Sequence, residues 1–340
     1  MTKLRVPHPR DVFSFRGILL SMTPLFGGKK DAERTVLILD VESGSVGSAL
    51  VQLMPDKQPK LFGEMRSHAP LSMSRSGLRL SSDIQNAARD AVRNAAEVAA
   101  RLRLHPKAAP LGRVGLAAVF LSPPWGKPNL ESGTPDFMQE MSQYVRSEIG
   151  AAFEDIPVSF YTSAGAAAFG ARALFAPEPC LVCSITGEVS ELMRMDNEGV
   201  RAHATIPTGF NSLLRTLRTH GGISEAEARS AARLPFGTPR TKEPFASAAA
   251  HFAGQFKDAT QELLSPGDVF RVRVIGHEPI GEWFAQAVSM DESLAELFPE
   301  GGEVRAVRSH HLTPHIEAHA ENPDLMLMLD ALFVDSHSNN

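Results

Sequence analysis

Cysteine is scarce in this sequence of 340 residues, which contains only Cys180 and Cys183. The two belong to a C-L-V-C run in a segment, residues 180–184, that has the composition of a β-strand. Residues three apart on a strand lie about 10 Å from each other and point to opposite faces, which is too far for a disulfide. We therefore expect two buried thiols in a reducing compartment, and neither a redox pair nor a metal site.

Long apolar runs are also lacking, since a membrane-spanning helix needs about 20 consecutive apolar residues. The longest run, Val114–Leu121, has the length of a strand. Residues 13–26 are apolar, but Arg16 and Pro24 interrupt them and no convincing cleavage site follows, so we expect no signal peptide. An amphipathic segment on a membrane or partner, and an arm packed on the protein's own surface, both stay open for this stretch. Its apolar residues could share one helix face: Phe13, Phe15, Ile18, Leu19 and Met22.

The sequence also lacks an excess of positive charge, since the formal net charge is -5 and the pI is near 6.2. The arginines between Arg66 and Arg103 are interspersed with Asp83, Asp90 and Glu97, which is typical of a solvated face. We expect no nucleic-acid partner. With 43% hydrophobic residues, the composition is that of a soluble globular protein, and the length fits two domains of about 170 residues.

The hydrophobic pattern predicts one order of elements twice. In the first half, strands are predicted at 35–40, 49–53, 61–66, 114–121 and 156–161, and helices at 83–103, 137–152 and 164–175. In the second half, strands are predicted at 180–184, 191–195, 200–206, 269–275 and 304–307, and helices at 211–219, from Ser224, at 246–264 and at 281–288. The predicted organisation is an N-terminal arm, 1–34, a first α/β half, 35–176, and a second half, 177–340.

Three local signals refine these helices. Ser224 and Glu227 have the spacing of a capping box. A Pro/Gly-rich connection is predicted over 235–244. The last helix is predicted to begin with Asn322 as its cap and Pro323 in the first helical position.

Each half opens with a strand, a tight turn of small residues and a second strand. The runs are L-D-V-E-S-G before A-L-V-Q-L, and V-C-S-I-T-G before E-L-M-R-M. Backbone N–H groups of such turns can point at an anion, and a nearby acidic residue can position Mg²⁺. A Rossmann turn is excluded, because G-x-G-x-x-G is missing and a strand follows where a helix would be needed. A Walker A loop is excluded because no G-K-[ST] is present.

These paired hairpins, together with I-P-T-G-F-N, I-S-E-A-E-A-R and the later Ile275-Gly276 turn, resemble the actin-like ATPases. Within them the bacterial PilM/FtsA branch is most similar, over roughly residues 35–333. The resemblance implies two ribonuclease-H-like α/β halves that enclose a cleft for ATP or ADP with Mg²⁺. It assigns Asp40 to the metal as well as to the nucleotide. The residues that it assigns to the nucleotide are Asp40, Ser43, Gly44, Ser45, Gly187, Glu188 and Gly276.

The sequence departs from the family pattern at each of these motifs. Glu42 stands where the first motif has glycine, and its carboxylate would repel phosphates. In the second motif, Ser184 replaces an aspartate and Thr186 replaces a glycine. At the adenosine turn His277 follows Gly276 in place of a second glycine. We therefore expect weak or lost nucleotide binding and weak or absent ATP hydrolysis, and the pattern identifies no catalytic residue.

The resemblance implies a cytoplasmic actin-like scaffold, a pseudo-ATPase of a cell-envelope assembly of the type IV pilus or division type. Protein partners follow from that role, with a homo-oligomer as a further option and membrane association at most peripheral, at the inner face. The first half leaves no stretch for the extra subdomain that this branch inserts, so its peptide groove is not expected. The alternative is a small-molecule kinase of the same superfold, but Ser184 removes the second carboxylate that a kinase would need.

A histidine cluster near the C-terminal end is the last candidate. Three of its members are four residues apart, which would suit a metal on a helix, but Pro314 breaks that helix. We expect these to be ordinary surface histidines. The cluster is His310, His311, His315 and His319.

Overall fold

The computed structural model describes residues 33–73, 77–104, 111–130, 135–175, 178–197, 199–234, 241–264, 271–294 and 303–338. The amphipathic stretch 13–26 and nearly all of the predicted arm lie outside the described residues. In the described part of the chain, none of the helices combines the length and hydropathy that a membrane crossing would require.

The first half is built on a sheet whose central strand is β1, Arg34–Val41. Antiparallel β2 (Ser45–Leu53) and β3 (Lys60–His68) follow, then β4 (Val114–Leu121) and β7 (Val158–Thr162), which extend the sheet in parallel on the other side of β1. Its helices are α1 (Gly77–Leu104), α2 (Gln139–Phe153) and α3 (Ser163–Leu174). Between β4 and α2 the described residues form only a two-stranded ribbon, β5 (Gly126–Lys127) and β6 (Asp136–Phe137).

The second half repeats this arrangement around β8, Cys180–Ile185. Its sheet continues with β9 (Ser190–Asp196), β10 (Gly199–Ile206), β11 (Arg271–Ile275) and β12 (Glu303–Ala306). The helices are α4 (Phe210–Gly221), α5 (Glu225–Ala231), α6 (Lys242–Leu263) and α7 (Ile280–Ser289). The chain then forms α8 (Ser309–Leu312), β13 (Glu317–Ala318) and α9 (Leu325–Ser338).

The two sheets share one strand order. It is β3-β2-β1-β4-β7 in the first and β10-β9-β8-β11-β12 in the second. In both, the opening strand is central, antiparallel to the second strand and parallel to the fourth. The predicted α/β fold of two ribonuclease-H-like halves is confirmed, with β1 and β8 in separate sheets.

Helices α3 and α9 pack in a core that includes residues of both sheets. The small alanine side chains of α3 allow close packing with α9. A Cβ on Gly170 would lie 2.1 Å from Leu329 Cδ2 of α9. Phe333 of α9 packs edge-on against Phe120 and Phe169, with ring centroids 5.6 and 5.8 Å away. The core is therefore shared by the halves, and the boundary near residue 176 stays a prediction.

The last described segment returns to the first half. β13 pairs in parallel with β3 through Glu317 and Ala318, and the Lys60 ammonium lies 2.9 Å from the Glu317 carboxylate. Helix α9 packs against β1 and α3. These contacts give the first sheet six strands, with β13 at its edge.

Several helix starts differ from the predictions, and one helix cap is confirmed. Helices α1 and α6 begin at Gly77 and Lys242, ahead of the predicted residues 83 and 246. Helix α9 begins at Leu325, after Asp324, whose Oδ1 accepts from the N–H groups of Met326 and Leu327 at 3.0 and 3.3 Å. The predicted start at Asn322 and Pro323 is wrong because this carboxylate makes the cap further along. Helix α6 includes Pro244 in its first turn, where no intrahelical N–H bond is lost. The capping box of Ser224 and Glu227 is present as predicted.

Candidate functional site

The first of two facing turns follows β1. The Glu42 N–H donates to the Ser45 carbonyl at 2.9 Å and closes the turn. The indole of Trp125, which follows β4, donates to the Glu42 carbonyl at 3.2 Å. Glu42, Ser43 and Ser45 are buried, so this polar turn lies inside the protein. Burial of polar groups requires partners, and these come from both halves.

The second turn follows β8 and is hydrogen-bonded to the first residues of α4. The Thr186 N–H donates to the Val189 carbonyl at 3.0 Å. The N–H groups of Phe210 and Asn211 donate to the carbonyls of Thr186 and Gly187 at 2.9 and 2.7 Å. These N–H groups belong to the first turn of α4, where no partner within the helix is available. In this arrangement they are satisfied by the turn itself.

The two turns are in direct backbone contact. A Cβ on Gly187 would lie 2.4 Å from the Cα and N of Gly44, and a Cβ on Gly44 would lie 2.7 Å from Gly187 Cα. Only glycine permits such an approach. The Ser43 hydroxyl accepts from the Glu188 N–H at 2.8 Å and lies 3.1 Å from Thr186 Oγ1. A serine oxygen thus occupies a backbone donor that an anion would otherwise use, and no gap separates the turns.

An ion-pair cluster lies beside the first turn, centred on Arg66 of β3. Its Nη2 lies 2.7 Å from Asp40 Oδ2, and its Nε lies 2.6 Å from Asp324 Oδ2. Its Nη1 donates to Ser45 Oγ at 3.1 Å and lies 3.8 Å from Glu42 Oε1. The Arg66 side chain is only 8% exposed and Asp40 is fully buried, so the pair is shielded from water.

Strand register explains how Arg66 reaches Asp40. Asp40 of β1 pairs with Gly47 of β2, and Gly47 pairs with Arg66 of β3, so the three lie in one row across the sheet. A Cβ on Gly47 would lie 2.6 Å from Arg66 Nη2. Because Gly47 has no side chain, the Arg66 side chain has room to extend across β2 to Asp40.

His277 connects the second half to this cluster. It follows β11, and its Nε2 lies 3.0 Å from each carboxylate oxygen of Glu42. Its Nδ1 lies 3.8 Å from Asp324 Oδ1. Glu42 therefore sits between His277 and Arg66, so that the carboxylate expected to repel phosphates is neutralised by the protein's own cations.

The charges of the cluster follow from these contacts. Burial raises the pKa of Glu42 and Asp324, but His277 and Arg66 outweigh it, and both carboxyl groups have a pKa below the usual value. Burial and Arg66 lower the pKa of His277, but Glu42 and Asp324 outweigh them and the net shift is upward. For Asp40, burial dominates and raises the pKa to about 7 in spite of Arg66. Glu42 and Asp324 are the charged partners of the two cations.

Asp330 of α9 is a further buried acid next to this cluster. It is 1% exposed, and its Oδ2 has no hydrogen-bond partner in the described part of the chain. Burial, and then the neighbouring Asp40, raise its pKa well above the usual value. The Ser163 hydroxyl donates to the other oxygen of Asp40 at 3.4 Å. A neutral acid and a hydroxyl therefore complete the surroundings of Asp40.

The structure brings the predicted site residues to one place, where their role in binding a nucleotide stays a prediction. Six lie at the two turns or next to them, and Gly276 immediately precedes His277. Glu188 accepts from Asn211 Nδ2 at 2.8 Å and pairs with Arg215 at 2.5 Å. The six are Asp40, Ser43, Gly44, Ser45, Gly187 and Glu188.

The sequence-based placement of Arg66 on a solvated face is wrong, because its side chain is only 8% exposed. Asp324 was missed as a site residue, and His277 was considered only as a replaced glycine. Their partners are distant in sequence, so no periodic pattern could reveal them. A glycine inside a strand, Gly47, is the one local signal of a close approach. Glu191, buried on β9 and paired with His203 at 3.0 Å, was also missed.

The present arrangement does not fit a magnesium nucleotide. Asp40 is engaged by Arg66, and the space between the turns is filled by their own backbones. Over the described ranges, no group of three or more histidine, cysteine or acidic side chains is placed to hold a metal ion. The described ranges include the four histidines near the C-terminal end. Helix α8 ends at Leu312, before Pro314.

Comparison with known proteins gives the fold. No protein-family model matches the sequence, and no curated protein matches it significantly. Ethanolamine utilization protein EutJ from Carboxydothermus hydrogenoformans is similar in structure, with a TM-score of 0.53 and 16% identity over 95% of this chain and 94% of that one. A chain of the PilM-PilN type IV pilus biogenesis complex has a TM-score of 0.55 and 11% identity over 90% and 99%. The chain thus has the actin-like ATPase fold, of which the PilM-like branch is one of several.

Proposed function

We propose that the protein is an actin-like scaffold, a pseudo-ATPase whose nucleotide cleft is held closed by its own side chains. It works through protein partners in a cell-envelope assembly of the type IV pilus or division type. Binding of ATP or ADP with Mg²⁺ is weak or lost. The observation that carries the proposal is the buried Arg66 guanidinium, which lies on Asp40, the carboxylate that the family resemblance assigns to Mg²⁺.

Arg66 supplies the positive charge that a metal would bring. It contacts Asp40 and Asp324 from one guanidinium, within 2.7 Å of each. A guanidinium is planar, permanently charged and matched to carboxylate geometry, whereas Mg²⁺ gives up its bound water reluctantly. A magnesium ion would have to displace it and leave a buried arginine without partners, which costs several kcal/mol.

The contact between the turns supports the same proposal independently. A phosphate group would have to separate Gly44 from Gly187 and break the hydrogen bond from the Glu188 N–H to Ser43. It would also have to displace Glu42 from His277 and Arg66, the two cations that neutralise this carboxylate. Opening of the turns and loss of this pairing both oppose phosphate entry.

The scaffold role rests on fold likeness and on the closed cleft together. A structurally similar chain comes from a pilus biogenesis complex, PilM with PilN. A protein that holds its cleft shut keeps its outer surface in one conformation, which suits a platform for partners. We propose a location in the cytoplasm, at the inner face of the membrane through those partners, and leave a homo-oligomer as part of this proposal. The kinase alternative is weaker, because Asp40 is already engaged.

Calorimetric titration with Mg-ATP and Mg-ADP tests the closed cleft. We expect no binding tighter than about 1 mM, and hydrolysis at the background rate. The matched variants are Asp40→Ala and, as a surface control, Arg229→Gln in α5. Binding in the micromolar range, or turnover that Asp40→Ala abolishes and Arg229→Gln leaves intact, would contradict the proposal.

The scaffold role has its own test, independent of nucleotide. Genomic neighbours encoding pilus or division proteins would support it, and a metabolic operon would favour the kinase. Light scattering of the purified protein with and without Mg-ATP then measures its assembly state. We expect one state under both conditions, because a closed cleft does not respond to nucleotide.

A further inference from the structure

The connection from β3 to α1 contacts both halves of the molecule. Its first residue, Ala69, follows β3 and is buried in the core that the first sheet forms with α1 and α2. Leu71, two residues later, is buried in a different core. The other buried members of that core lie on α4, α5 and α6 or directly after α5. The chain therefore passes from the core of one half to the core of the other between Ala69 and Leu71.

Leu71 enters the second core as a single inserted side chain. It is 7% exposed, whereas Met73 is 54% exposed and Pro70 is also exposed. Withdrawal of Leu71 would open an apolar site, here called the leucine pocket, to water, so the hydrophobic effect favours insertion. The buried residues that form the leucine pocket are Leu213, Leu214, Leu217, Ala228, Ala231, Ala232, Phe245 and Ala248.

Hydrogen bonds hold the connection at both of its ends. The Ala69 N–H donates to the Gly44 carbonyl at 3.0 Å, which ties the connection to the first turn. On the other side, Arg215 Nε of α4 donates to the Ser72 carbonyl at 2.8 Å. Nη2 of the same guanidinium lies 2.5 Å from Glu188 of the second turn. Because the Arg215 side chain is only 13% exposed, one shielded cation holds the connection and the second turn together.

The leucine pocket is separate from the core that α3 and α9 share with both sheets. Among the described residues, none of the buried side chains of the leucine pocket belongs to that shared core. In domain closure, one region stays packed while a few contacts elsewhere form and break. The shared core is continuous, whereas Leu71 is the one described side chain that the first half inserts into the leucine pocket. Opening on this side therefore breaks few contacts.

We propose that residues 69–73 form a latch, and that withdrawal of Leu71 from the leucine pocket is the step that opens the cleft. This inference rests on the proposed closed cleft and adds how that state is held and released. With Leu71 inserted, Arg215 stays on the latch and on Glu188, which keeps the second turn against the first. With Leu71 withdrawn, the hydrogen bond from Glu188 to Ser43 loses this support.

Hydrogen exchange of the full-length wild type, without nucleotide and at low urea concentrations, is the first test. The reporters are the Ala69 amide in the latch and the Glu188 amide between the turns. We expect both to exchange at least about tenfold faster than the amides of β4 and with a weaker dependence on urea, because a local opening exposes less surface than unfolding. Exchange of both at the rate and urea dependence of β4 would overturn the proposal.

Leu71→Asp tests whether this side chain controls the opening. A carboxylate is costly to bury, so it should leave the leucine pocket, and both reporter amides should exchange at least about thirtyfold faster while the β4 amides stay protected. The control is Leu104→Asp, at a leucine that is 77% exposed at the end of α1, and it should exchange like the wild type. Leu71→Met keeps an apolar side chain and should also match the wild type.

Two results of these variants would show that Leu71 is an ordinary core residue and no latch. One is loss of the folded state in Leu71→Asp, measured by circular dichroism. The other is an unchanged exchange rate at Glu188 in that variant. The closed cleft fails on a different result, tight Mg-ADP binding by the wild type, and the exchange rates decide on the latch whichever way that titration turns out.

Discussion

Replacement of Arg66 by methionine tests the centre of the buried cluster. Methionine keeps most of the side-chain length but removes the cation that faces Asp40, Asp324 and Glu42. Removal of one partner of a buried ion pair typically costs about 3–5 kcal/mol, because the remaining charge stays without a counter-ion. The two close contacts and the low exposure of Arg66 place this site in that class. We expect a loss of about 3–5 kcal/mol in the free energy of unfolding at pH 8.

The loss should depend on pH with a definite sign. In the wild type, Arg66 helps to hold the pKa of Asp324 below its usual value, so this carboxylate stabilises the fold at neutral pH and that contribution is lost as pH falls. In the variant, burial acts without Arg66: the pKa of Asp40, already about 7 in the wild type, rises further, and the pKa of Asp324 rises from its lowered value. Each upward shift of a buried carboxyl group makes the fold less stable at high pH than at low pH. The cost of Arg66→Met should therefore be smaller at pH 5 than at pH 8.

Urea unfolding followed by circular dichroism at both pH values measures this cost. Arg229→Met is the control, since Arg229 forms a partly exposed pair with Glu225 one helical turn away, and should cost less than about 0.5 kcal/mol. Asp324→Asn retains a capping side chain, so the double variant isolates the ionic coupling, expected at about 1–3 kcal/mol. A cost below about 1 kcal/mol at pH 8, or an equal cost at both pH values, would refute the reasoning.

Three further predictions concern the two turns. His277→Gln should destabilise the protein most near pH 6 and less towards pH 9. The reason is that the raised pKa of His277 confers stability that is lost as the imidazole deprotonates. An equal difference in unfolding free energy between variant and wild type across that range would contradict the pairing with Glu42. Gly187→Ala should lower stability by about 1–3 kcal/mol in thermal unfolding, because the new Cβ would collide with the opposite turn. The control Gly254→Ala in α6, with open space around it, should be neutral or stabilising. Equal effects of the two substitutions would mean that the turns are not in contact. The double variant Glu42→Gly, Ser184→Asp should bind Mg-ADP more tightly than the wild type in calorimetry, and a folded variant with unchanged affinity would show that the turns do not face a phosphate site.

Much of the fold could be predicted from the sequence because it depends on local patterns. The strand T-V-L-I-L-D ends in Asp40, and the small-residue turn that follows is visible in the letters themselves. The repeated order of elements gave the two halves, since strand and helix periods differ. The capping box of Ser224 and Glu227 was visible for the same reason, as both members lie within four residues.

The chemistry of the site was less accessible, because its partners are far apart in the chain. Arg66 contacts Asp324 across 258 positions, and His277 contacts Glu42 across 235. Register, sheet packing and helix capping together decide such pairs, and none has a sequence period. Glu42 illustrates the difference: the sequence identified it as an added negative charge, but only the structure supplied the two cations beside it.

The return of the last segment to the first sheet has a consequence for how the protein folds. Val36, Ile38 and Phe120 belong to the core that α9 completes, although α9 follows them by about 200 residues or more. On the ribosome, the sheet around β1 would therefore expose an apolar face until the second half had been synthesised. Contacts this distant slow folding, because a long loop must close before they form. The halves look like separate domains in the order of their elements, but the first one reaches its final packing only when the second has been made.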